Sequence, residues 1–290
     1  MNRRYRLVFN ASLSLWQAVT EIAKSHGKSA GKAHIALLLL NALSVTHAMA
    51  DPAGNALPTG GQVVSGQSTL TQHGAHLDIV QGTQKSIINW NTYNIGTGAT
   101  VNYLQPNASA ISLNRVISTD PSQIFGKLGA NGQVWLINPN GVLFGQNAQA
   151  NVAGLVASTL NIGDDNFLNG LYLFSGNGTG SVVNLGNLVA RNGGYVGLLA
   201  PNVLNEGVVS ALQGSVVMAA GEKMTLDFNG GGLINVQVDP SQISTLIENK
   251  HLVQVGNGQV LMSTSAANGL QTSVINNTGN IEANSMVSDG

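Results

Sequence analysis

The sequence predicts an all-β protein built as a parallel β-helix, a solenoid of stacked coils. Three observations support this fold class. Only 9% of the 290 residues are charged and 36 are Gly, whereas ordinary soluble domains carry about 25% charged residues. Short alternating apolar runs are separated by Asn-Gly pairs, which favour turns because Asn and Gly reach positive φ at low cost. A sequence pattern also recurs at a fixed spacing, which is typical of solenoids.

The recurring pattern has the form Asn-x-Gly-x-aliphatic-x-Ala. It begins at Asn184, recurs 21 positions later at Asn205 and returns at Asn277. Alternation within each copy places every second side chain on one face, as in a half-buried strand. Because one coil cannot bury its apolar face alone, we expect successive copies to stack as parallel strands, with Leu188 beside Val209.

The Asn residues that open the copies have two interpretations. Asn184, Asn205 and Asn277 either stack as a ladder of side-chain amides from coil to coil or make ordinary turn contacts. Two segments, residues 111–130 and 230–250, do not follow the repeat. We expect both segments to leave the coils.

The first 50 residues contain the three parts of a secretory signal peptide. Six of the twelve basic residues lie in this segment, against a single acid, Glu21. An apolar stretch follows at residues 35–45, and Ala48-Met49-Ala50 then provides the small-x-small pattern of a cleavage site. Because the apolar stretch is shorter than the roughly 18 residues of a membrane span, we expect cleavage after Ala50 rather than a membrane anchor.

A further block precedes this signal, at residues 1–24. The residues of interest are Asn2, Arg3, Tyr5, Arg6, Leu7, Val8, Asn10, Trp16, Ala18, Val19 and Glu21. The block resembles the extended signal peptide of large autotransporters and two-partner secretion exoproteins, although Phe9 stands where such leaders usually carry Trp. The resemblance implies slowed export by the general secretion machinery. We therefore assign residues 1–50 to an extended signal peptide.

The charge balance of the rest of the chain excludes one class of partner. Without the leader, the chain has six basic and twelve acidic residues, a net charge of −6. Phosphate binding needs clustered Lys and Arg, so we expect no nucleic acid partner. The chain has no Cys, so no disulfide can form in the oxidising periplasm.

An ordered set of motifs lies between residues 87 and 160. These are Ile88-Asn89-Trp90-Asn91-Thr92-Tyr93-Asn94-Ile95-Gly96, Gln105-Pro106-Asn107, Leu113-Asn114-Arg115-Val116, Pro121-Ser122-Gln123-Ile124, Gly126-Lys127-Leu128, Asn131-Gly132-Gln133-Val134, Leu136-Ile137-Asn138-Pro139-Asn140-Gly141-Val142 and Gly154-Leu155-Val156-Ala157-Ser158-Thr159. The set resembles the two-partner secretion domain, or haemagglutination-activity domain, of filamentous haemagglutinin-like exoproteins. The resemblance covers residues 60–225.

The resemblance implies a right-handed parallel β-helix with an N-terminal cap, recognised by the periplasmic modules of an outer-membrane pore. It also implies a secreted or cell-surface location reached through the periplasm. We assign residues 51–225 to the two-partner secretion domain and 226–290 to continuing β-helix coils that are incomplete at the C-terminus. One departure is Gln105-Pro106-Asn107-Ala108, where some members carry Asn-Pro-Asn-Leu. This departure places the chain nearer to the high-molecular-weight and haem-acquisition exoproteins.

The candidate secretion motif is the family's signature turn, Asn138-Pro139-Asn140-Gly141. Pro139 fixes φ at the first central position, and Asn140 or Gly141 can take the strained one. The motif either orders the coil that follows or contacts the pore directly. Further family motif residues expected to matter for secretion are Trp90, Asn91, Asn94, Asn114, Arg115 and Ser122.

The whole exoprotein is expected to be an adhesin or haemagglutinin that reaches a host or neighbouring-cell surface through later coils. A contact-dependent toxin carrier, a haem scavenger and a β-helix polysaccharide-active enzyme are the alternatives. Such enzymes need clustered carboxylates beside Arg or Lys. The only adjacent acids, Asp164 and Asp165, fit a solvated turn. His73 and His76 are the only His pair at a possible metal-ligand spacing, and we expect them at the surface. We therefore expect no enzyme activity, no cofactor and no metal.

Overall fold

The computed structural model describes residues 51–228, 234–267 and 273–283, together with the main chain of two strands in the leader. The chain divides into two compact units, Met1–Met49 and Ala50–Gly290. In the first unit, β1 (Tyr5–Asn10) pairs antiparallel with β2 (Leu15–Thr20). Within the described residues, no helix has the length and apolar character needed to cross a membrane.

The second unit is a solenoid whose coils contribute strands to three parallel stacks, which we call faces A, B and C. Each coil passes from face A to face B and then to face C before it returns to face A of the next coil. The N-terminal cap consists of β3 (Gln62–Ser65) and β4 (Ser68–His73), which pair antiparallel with the first strands of faces B and A. The predicted parallel β-helix with an N-terminal cap is therefore confirmed.

The first three coils are built from separate short strands joined by corners. Coil 1 reaches face C through a single bridge between Ile95 and Ile124, whereas coils 2 and 3 have a strand on every face. In chain order these strands are β5 (His76–Gln81) and β6 (Lys85–Trp90) in coil 1, β7 (Thr100–Leu104), β8 (Ile111–Val116) and β9 (Ser122–Ile124) in coil 2, and β10 (Lys127–Ala130), β11 (Gln133–Ile137) and β12 (Val142–Phe144) in coil 3.

In coils 4 and 5 a single strand continues from face A onto face B. In coils 4 and 6 the chain leaves the solenoid after face B and returns to it at face C, and we call these two inserted segments the excursions. Coil 4 consists of β13 (Gln149–Ser158), then the first excursion, which is β14 (Asn161–Ile162), α1 (Asp164–Leu168) and β15 (Tyr172–Ser175), and finally β16 (Ser181–Asn184); coil 5 consists of β17 (Asn187–Ala200) and β18 (Asn202–Asn205). Coil 6 consists of β19 (Val208–Ala211) and β20 (Ser215–Ala220), then the second excursion, which is β21 (Lys223–Asp227) and β22 (Asn235–Val238), and finally β23 (Thr245–Asn249). Coil 7 consists of β24 (Leu252–Gln254), β25 (Gln259–Thr264) and β26 (Ser273–Asn277), and β27 (Asn280–Glu282) belongs to coil 8.

The two excursions form one antiparallel sheet in the order β14-β15-β21-β22. Its apolar side packs on the outer side of face B around Trp135, Phe167 and Phe174, and this gives a second core outside the solenoid interior. Face B is thus buried on both sides, which explains its continuous apolar runs, such as the six buried residues of β20.

The prediction that two segments leave the coils is only partly correct. Residues 111–130 do not leave: they form β8, β9 and β10, and most of their polar residues lie within these strands. In residues 230–250, β22 belongs to the excursion but β23 is a face C strand, and residues 229–233 lie outside the described residues.

The predicted pairing of Leu188 with Val209 is confirmed in the parallel register of β17 and β19. A step of 21 residues also relates Gln133 to Gly154 on face B. On face A, however, Thr100 and Lys127 pair across a step of 27. The spacing varies because corners differ in length while the strands keep their register.

An asparagine ladder runs along the corner from face C to face A in coils 4 to 7. Asn184 Nδ2 donates to Asn205 Oδ1 at 2.8 Å, and the same contact joins Asn205 to Asn249 and Asn249 to Asn277 at 2.7 Å each. The predicted ladder is confirmed. The sequence pattern did not identify Asn249, because His251 stands where the other copies of the repeat have Gly.

Candidate functional site

The candidate secretion motif forms the whole corner between faces B and C of coil 3. β11 ends at Ile137 and β12 begins at Val142, so only the four motif residues lie between them. Gly141 N donates to Asn138 O at 3.1 Å, which closes the turn. Gly141 takes the strained position, with φ of +126°, where a side chain would be unfavourable.

Asn138 is a fully buried polar residue that joins coil 3 to coil 2. Its Nδ2 donates to Asp120 O at 2.9 Å and to Ser122 Oγ at 3.0 Å. Its Oδ1 accepts the main-chain N–H of Asn140 at 3.0 Å. Both donors and the acceptor of this amide are therefore used, and the predicted residues Ser122 and Asn138 are in direct contact.

Pro139 and Asn140 form the exposed tip of this corner. Asn140 Nδ2 donates to Ser118 O of coil 2 at 2.9 Å. On the other side, a Cβ added at Gly178 or Gly180 of coil 4 would lie 2.8 or 2.6 Å from Pro139 O. The corner of coil 3 is therefore held between coils 2 and 4. The main chain of coil 4 passes so close to Pro139 that a side chain at position 178 or 180 would clash with it.

Trp90 and Asn114 meet inside the first two coils. Asn114 Oδ1 accepts hydrogen bonds from Trp90 Nε1 at 3.0 Å and from Tyr103 Oη at 2.8 Å. The Tyr103 hydroxyl lies 2.8 Å from that of Tyr93. Burial raises the pKa of both tyrosines, so both phenols stay neutral. This closed network joins coil 1 to coil 2, and Tyr103 is the member that sequence motifs did not single out.

Asn91 and Asn94 connect coil 1 to its two neighbours. The main-chain N–H of Asn91 donates to Thr59 O at 2.9 Å, in the segment that precedes the cap. Asn94 Oδ1 accepts the main-chain N–H of Gln123 at 2.8 Å, where face C begins. Both contacts hold adjacent layers together.

Arg115 makes a different kind of contact, on the outer side of face B. Its guanidinium donates to Asp164 Oδ1 at 2.7 Å, to Ile162 O at 2.8 Å and to Asn161 Oδ1 at 2.9 Å. The interpretation of Asp164 and Asp165 as a solvated turn is wrong for Asp164, which begins α1 and pairs with Arg115. A carboxylate is favoured there because the first turn of a helix attracts negative charge.

Lys85 is a second cation that sequence reasoning missed. Its Nζ donates to Phe167 O at 2.8 Å and to Leu168 O at 3.0 Å, and it lies 5.4 Å from the ring centroids of Phe167 and Tyr172. Burial lowers the pKa of Lys85. Together, Lys85 and Arg115 fasten the excursion of coil 4 to coils 1 and 2. No local pattern reveals this, because Lys85 and Phe167 are 82 positions apart.

Most of the described sequence-predicted residues thus lie at contacts between coils, whereas Arg115 holds the excursion. Among the residues that the structure describes, no group of three or more His, Asp or Glu could hold a metal ion. Ala48 and Ala50 of the predicted cleavage site lie outside the described residues. What the site does, chemically, is keep successive coils in register.

Comparison with known families agrees with this arrangement. The family profile described as "TPS secretion domain" matches residues 54–290. The chain belongs to the TPS secretion domain family. A second profile, "Extended Signal Peptide of Type V secretion system", matches residues 1–49. This TPS protein is therefore exported through the periplasm to the cell surface, and its family implies an outer-membrane TpsB pore partner.

Curated relatives are much longer than this TPS chain. A "Heme/hemopexin-binding protein" of Haemophilus influenzae strain Rd is 33% identical over 215 residues, which is 69% of this chain and 23% of that protein. A second Haemophilus influenzae protein with this name is 51% identical over 83 residues, 29% of this chain and 9% of its own length. The chain thus spans less than a quarter of the length of these relatives.

A solved structure has the same fold. The crystal structure of the HMW1 secretion domain from Haemophilus influenzae matches with a TM-score of 0.63 at 29% identity, over 79% of this chain and 65% of that one.

Proposed function

We propose that this TPS domain is the export signal and the folding start of a larger exoprotein. The observation that carries the proposal is that each coil forms its parallel strand pairs with neighbouring coils, beyond an N-terminal cap. A coil that emerges from the pore can therefore fold on the one before it, without waiting for distant segments. Each folded coil is too large to slip back, which gives export its direction without a nucleotide supply outside the cell.

We infer that the motif at Asn138 acts through this folding step. The partners of its buried side chain, Asp120 and Ser122, belong to the preceding coil and are already in place when Asn138 emerges. Pro139 and Asn140 are exposed and offer the alternative, direct contact with the pore. The buried hydrogen bonds favour the structural role.

Other motif residues are proposed to act at earlier and later stages of the same process. Trp90 and Asn114, with Asn91 and Asn94, hold the cap and the first two coils, which form the nucleus. Arg115 acts later, because its partners on the excursion emerge only after coil 4 has begun.

The boundaries follow from the same proposal. Signal peptidase removes residues 1–50 after Ala50, through recognition of Ala48 and Ala50. Residues 51–225 contain the elements read by the periplasmic modules of the pore, and residues 226–290 continue the β-helix.

For the whole exoprotein, we propose capture of haem or of haem-carrying hemopexin by regions beyond this chain. The 33% identical relative that bears this name supports it. An adhesin or haemagglutinin acting at a host surface, and a contact-dependent toxin carrier acting at a neighbouring cell, are the alternatives. We also propose that residues 51–290 have no catalytic activity, because their acids are dispersed and Asp164 is occupied by an ion pair.

Two strains test the haem proposal, one lacking the gene for the exoprotein and one lacking the gene for its pore. Binding of fluorescent haem–hemopexin to whole cells should be lost in both, while attachment to epithelial cells should be unchanged. Loss of attachment with full hemopexin binding would instead favour an adhesin. Restoring each gene on a plasmid should recover hemopexin binding and so exclude an indirect effect of the deletion.

A further inference from the structure

The corners between faces A and B differ in length in a way that leaves a depression. In coil 2 this corner has six residues, between Leu104 and Ile111. In coil 3 it has two, between Ala130 and Gln133. In coil 4 the strand is continuous, and only Ala153 stands at the turn. The long corner of coil 2 therefore projects beyond the short corners of coils 3 and 4. We call the corner of coil 2 the first wall of the depression, and the corners of coils 3 and 4 its floor.

Coil 5 provides the opposite wall. Within β17, Ala190 pairs with Val152 and Tyr195 pairs with Gly154, so four residues of β17 stand opposite Ala153 alone. This bulge contains Gly193, with φ of +76°, and it is anchored where Gly193 N donates to Leu212 O at 2.8 Å. The two walls are three strand spacings apart, about 14 Å.

The cleft between these walls has a volume of about 370 Å³. Its lining includes Ser109 from the first wall, Gln133 and Ala153 from the floor, and Arg191 and Asn192 from the second wall. A smaller cavity of about 160 Å³ shares Ser109 and Gln133 with the cleft and is lined by aromatic rings from the excursion sheet. These rings are those of Tyr172 and Phe228.

The amide of Gln133 is oriented by a hydrogen-bonded chain. Trp135 Nε1 donates to Tyr195 Oη at 2.8 Å, and the Tyr195 hydroxyl donates in turn to Gln133 Oε1. The amide oxygen is therefore occupied, whereas Nε2 makes only a long contact of 3.5 Å with Ala108 O. A donor held in place with a weak partner is suited to a hydrogen-bond acceptor that enters the cleft.

Arg191 gives the cleft its charge. It is the single charged residue among the described lining residues, and it is exposed. Within the described part of the chain, no Asp or Glu forms a salt bridge with it. A guanidinium with free donors favours a carboxylate, which it can hold with two parallel hydrogen bonds.

We propose that this cleft binds a short acidic saccharide. The carboxylate of one sugar lies against Arg191, hydroxyl and ring oxygens accept from Gln133 and Asn192, and an adjoining sugar packs its apolar ring face on Tyr172 and Phe228. The strand-to-strand distance of about 14 Å, less the thickness of the walls, leaves room for about two sugar units, and a third reaches the adjoining aromatic cavity. The cleft lies at another corner of the solenoid from the Asn138 motif, so the proposal does not depend on the motif's role in export.

The test uses the exported chain recovered from culture supernatant, titrated calorimetrically with trigalacturonate and with its fully methyl-esterified form. The acid should bind at least tenfold more tightly than the ester. Arg191→Gln should weaken binding of the acid about tenfold, and Gln133→Glu should weaken it similarly by replacing a donor with a negative charge. Thermal unfolding of each variant checks that it is folded.

Lys127→Gln is the matched control, because it also removes one exposed positive charge, from face A. It should change binding less than about twofold. The proposal is overturned if the acid does not bind, if the ester binds equally well, or if Lys127→Gln weakens binding as much as Arg191→Gln. Equal binding of an acidic peptide of the same charge would overturn the saccharide class.

Discussion

An Asn138→Ala substitution removes a buried amide that makes four hydrogen bonds. Two of them are donated to Asp120 O and Ser122 Oγ at 2.9 and 3.0 Å, and two are accepted, from Asn140 N at 3.0 Å and from Asn140 Nδ2 at 3.2 Å. Each lost bond costs about 1 kcal/mol, and a buried partner left unpaired costs more. The total is about 2–4 kcal/mol, a large part of the roughly 5–15 kcal/mol that keeps a domain folded.

The measurement has two arms. The unfolding free energy of purified chain is determined by urea titration, and export is determined as the ratio of protein in the supernatant to protein in the periplasm when the cognate pore is present. Asn138→Ala should lower both. Asn140→Ala is the matched control: it removes an exposed bond to Ser118 O and a longer one to Asn138 Oδ1, but it keeps both bonds that Asn138 donates to coil 2, so it should cost less than about 1 kcal/mol.

Two results would refute this reasoning in different ways. An Asn138→Ala chain that unfolds at the parent's urea concentration shows that the side chain does not hold the coils together. A variant that refolds normally in vitro but stays in the periplasm shows that the pore reads the motif directly. Either result alone would contradict the proposed link between coil formation and export at this corner.

Three further predictions concern other contacts. Arg115→Gln removes the ion pair with Asp164, so limited proteolysis should cut residues 159–180 faster, whereas Asp165→Asn should leave the cleavage rate unchanged. Asn249→Ala interrupts the ladder and should raise amide hydrogen exchange in coil 7 more than in coil 2; equal protection of coil 7 in the variant and the parent would show that the ladder adds nothing. Mass spectrometry of the exported protein should find Asp51 at the N-terminus, and a chain that retains Met1 would contradict cleavage after Ala50.

The sequence predicted the fold class because a solenoid repeats its local rules. Alternation and a constant strand register bring Leu188 beside Val209, and both are visible in one dimension. The excursions were harder to predict, because the sheet that they form covers the outer side of face B and so buries face B on both sides. Its strands therefore lose the inside–outside alternation that marks a coil, as in β20.

The site was predictable to a smaller extent. The motifs identified Asn138 and Ser122, and the structure shows them in contact. They could not identify Lys85, whose partner Phe167 is 82 positions away, or Asn249, whose copy of the repeat has lost its Gly. Contacts that are distant in sequence leave no local pattern, so only the folded chain reveals them.

Export by the pore is tested most directly by fusing residues 1–290 to a reporter that bacteria do not normally secrete. With the cognate outer-membrane pore, the fusion should appear in the supernatant with a folded, protease-resistant solenoid. Without the pore it should remain in the periplasm, and without residues 1–50 it should remain in the cytoplasm. Release of the fusion at the same level when the pore is absent would contradict the assignment of this chain as a secretion domain that depends on a partner pore.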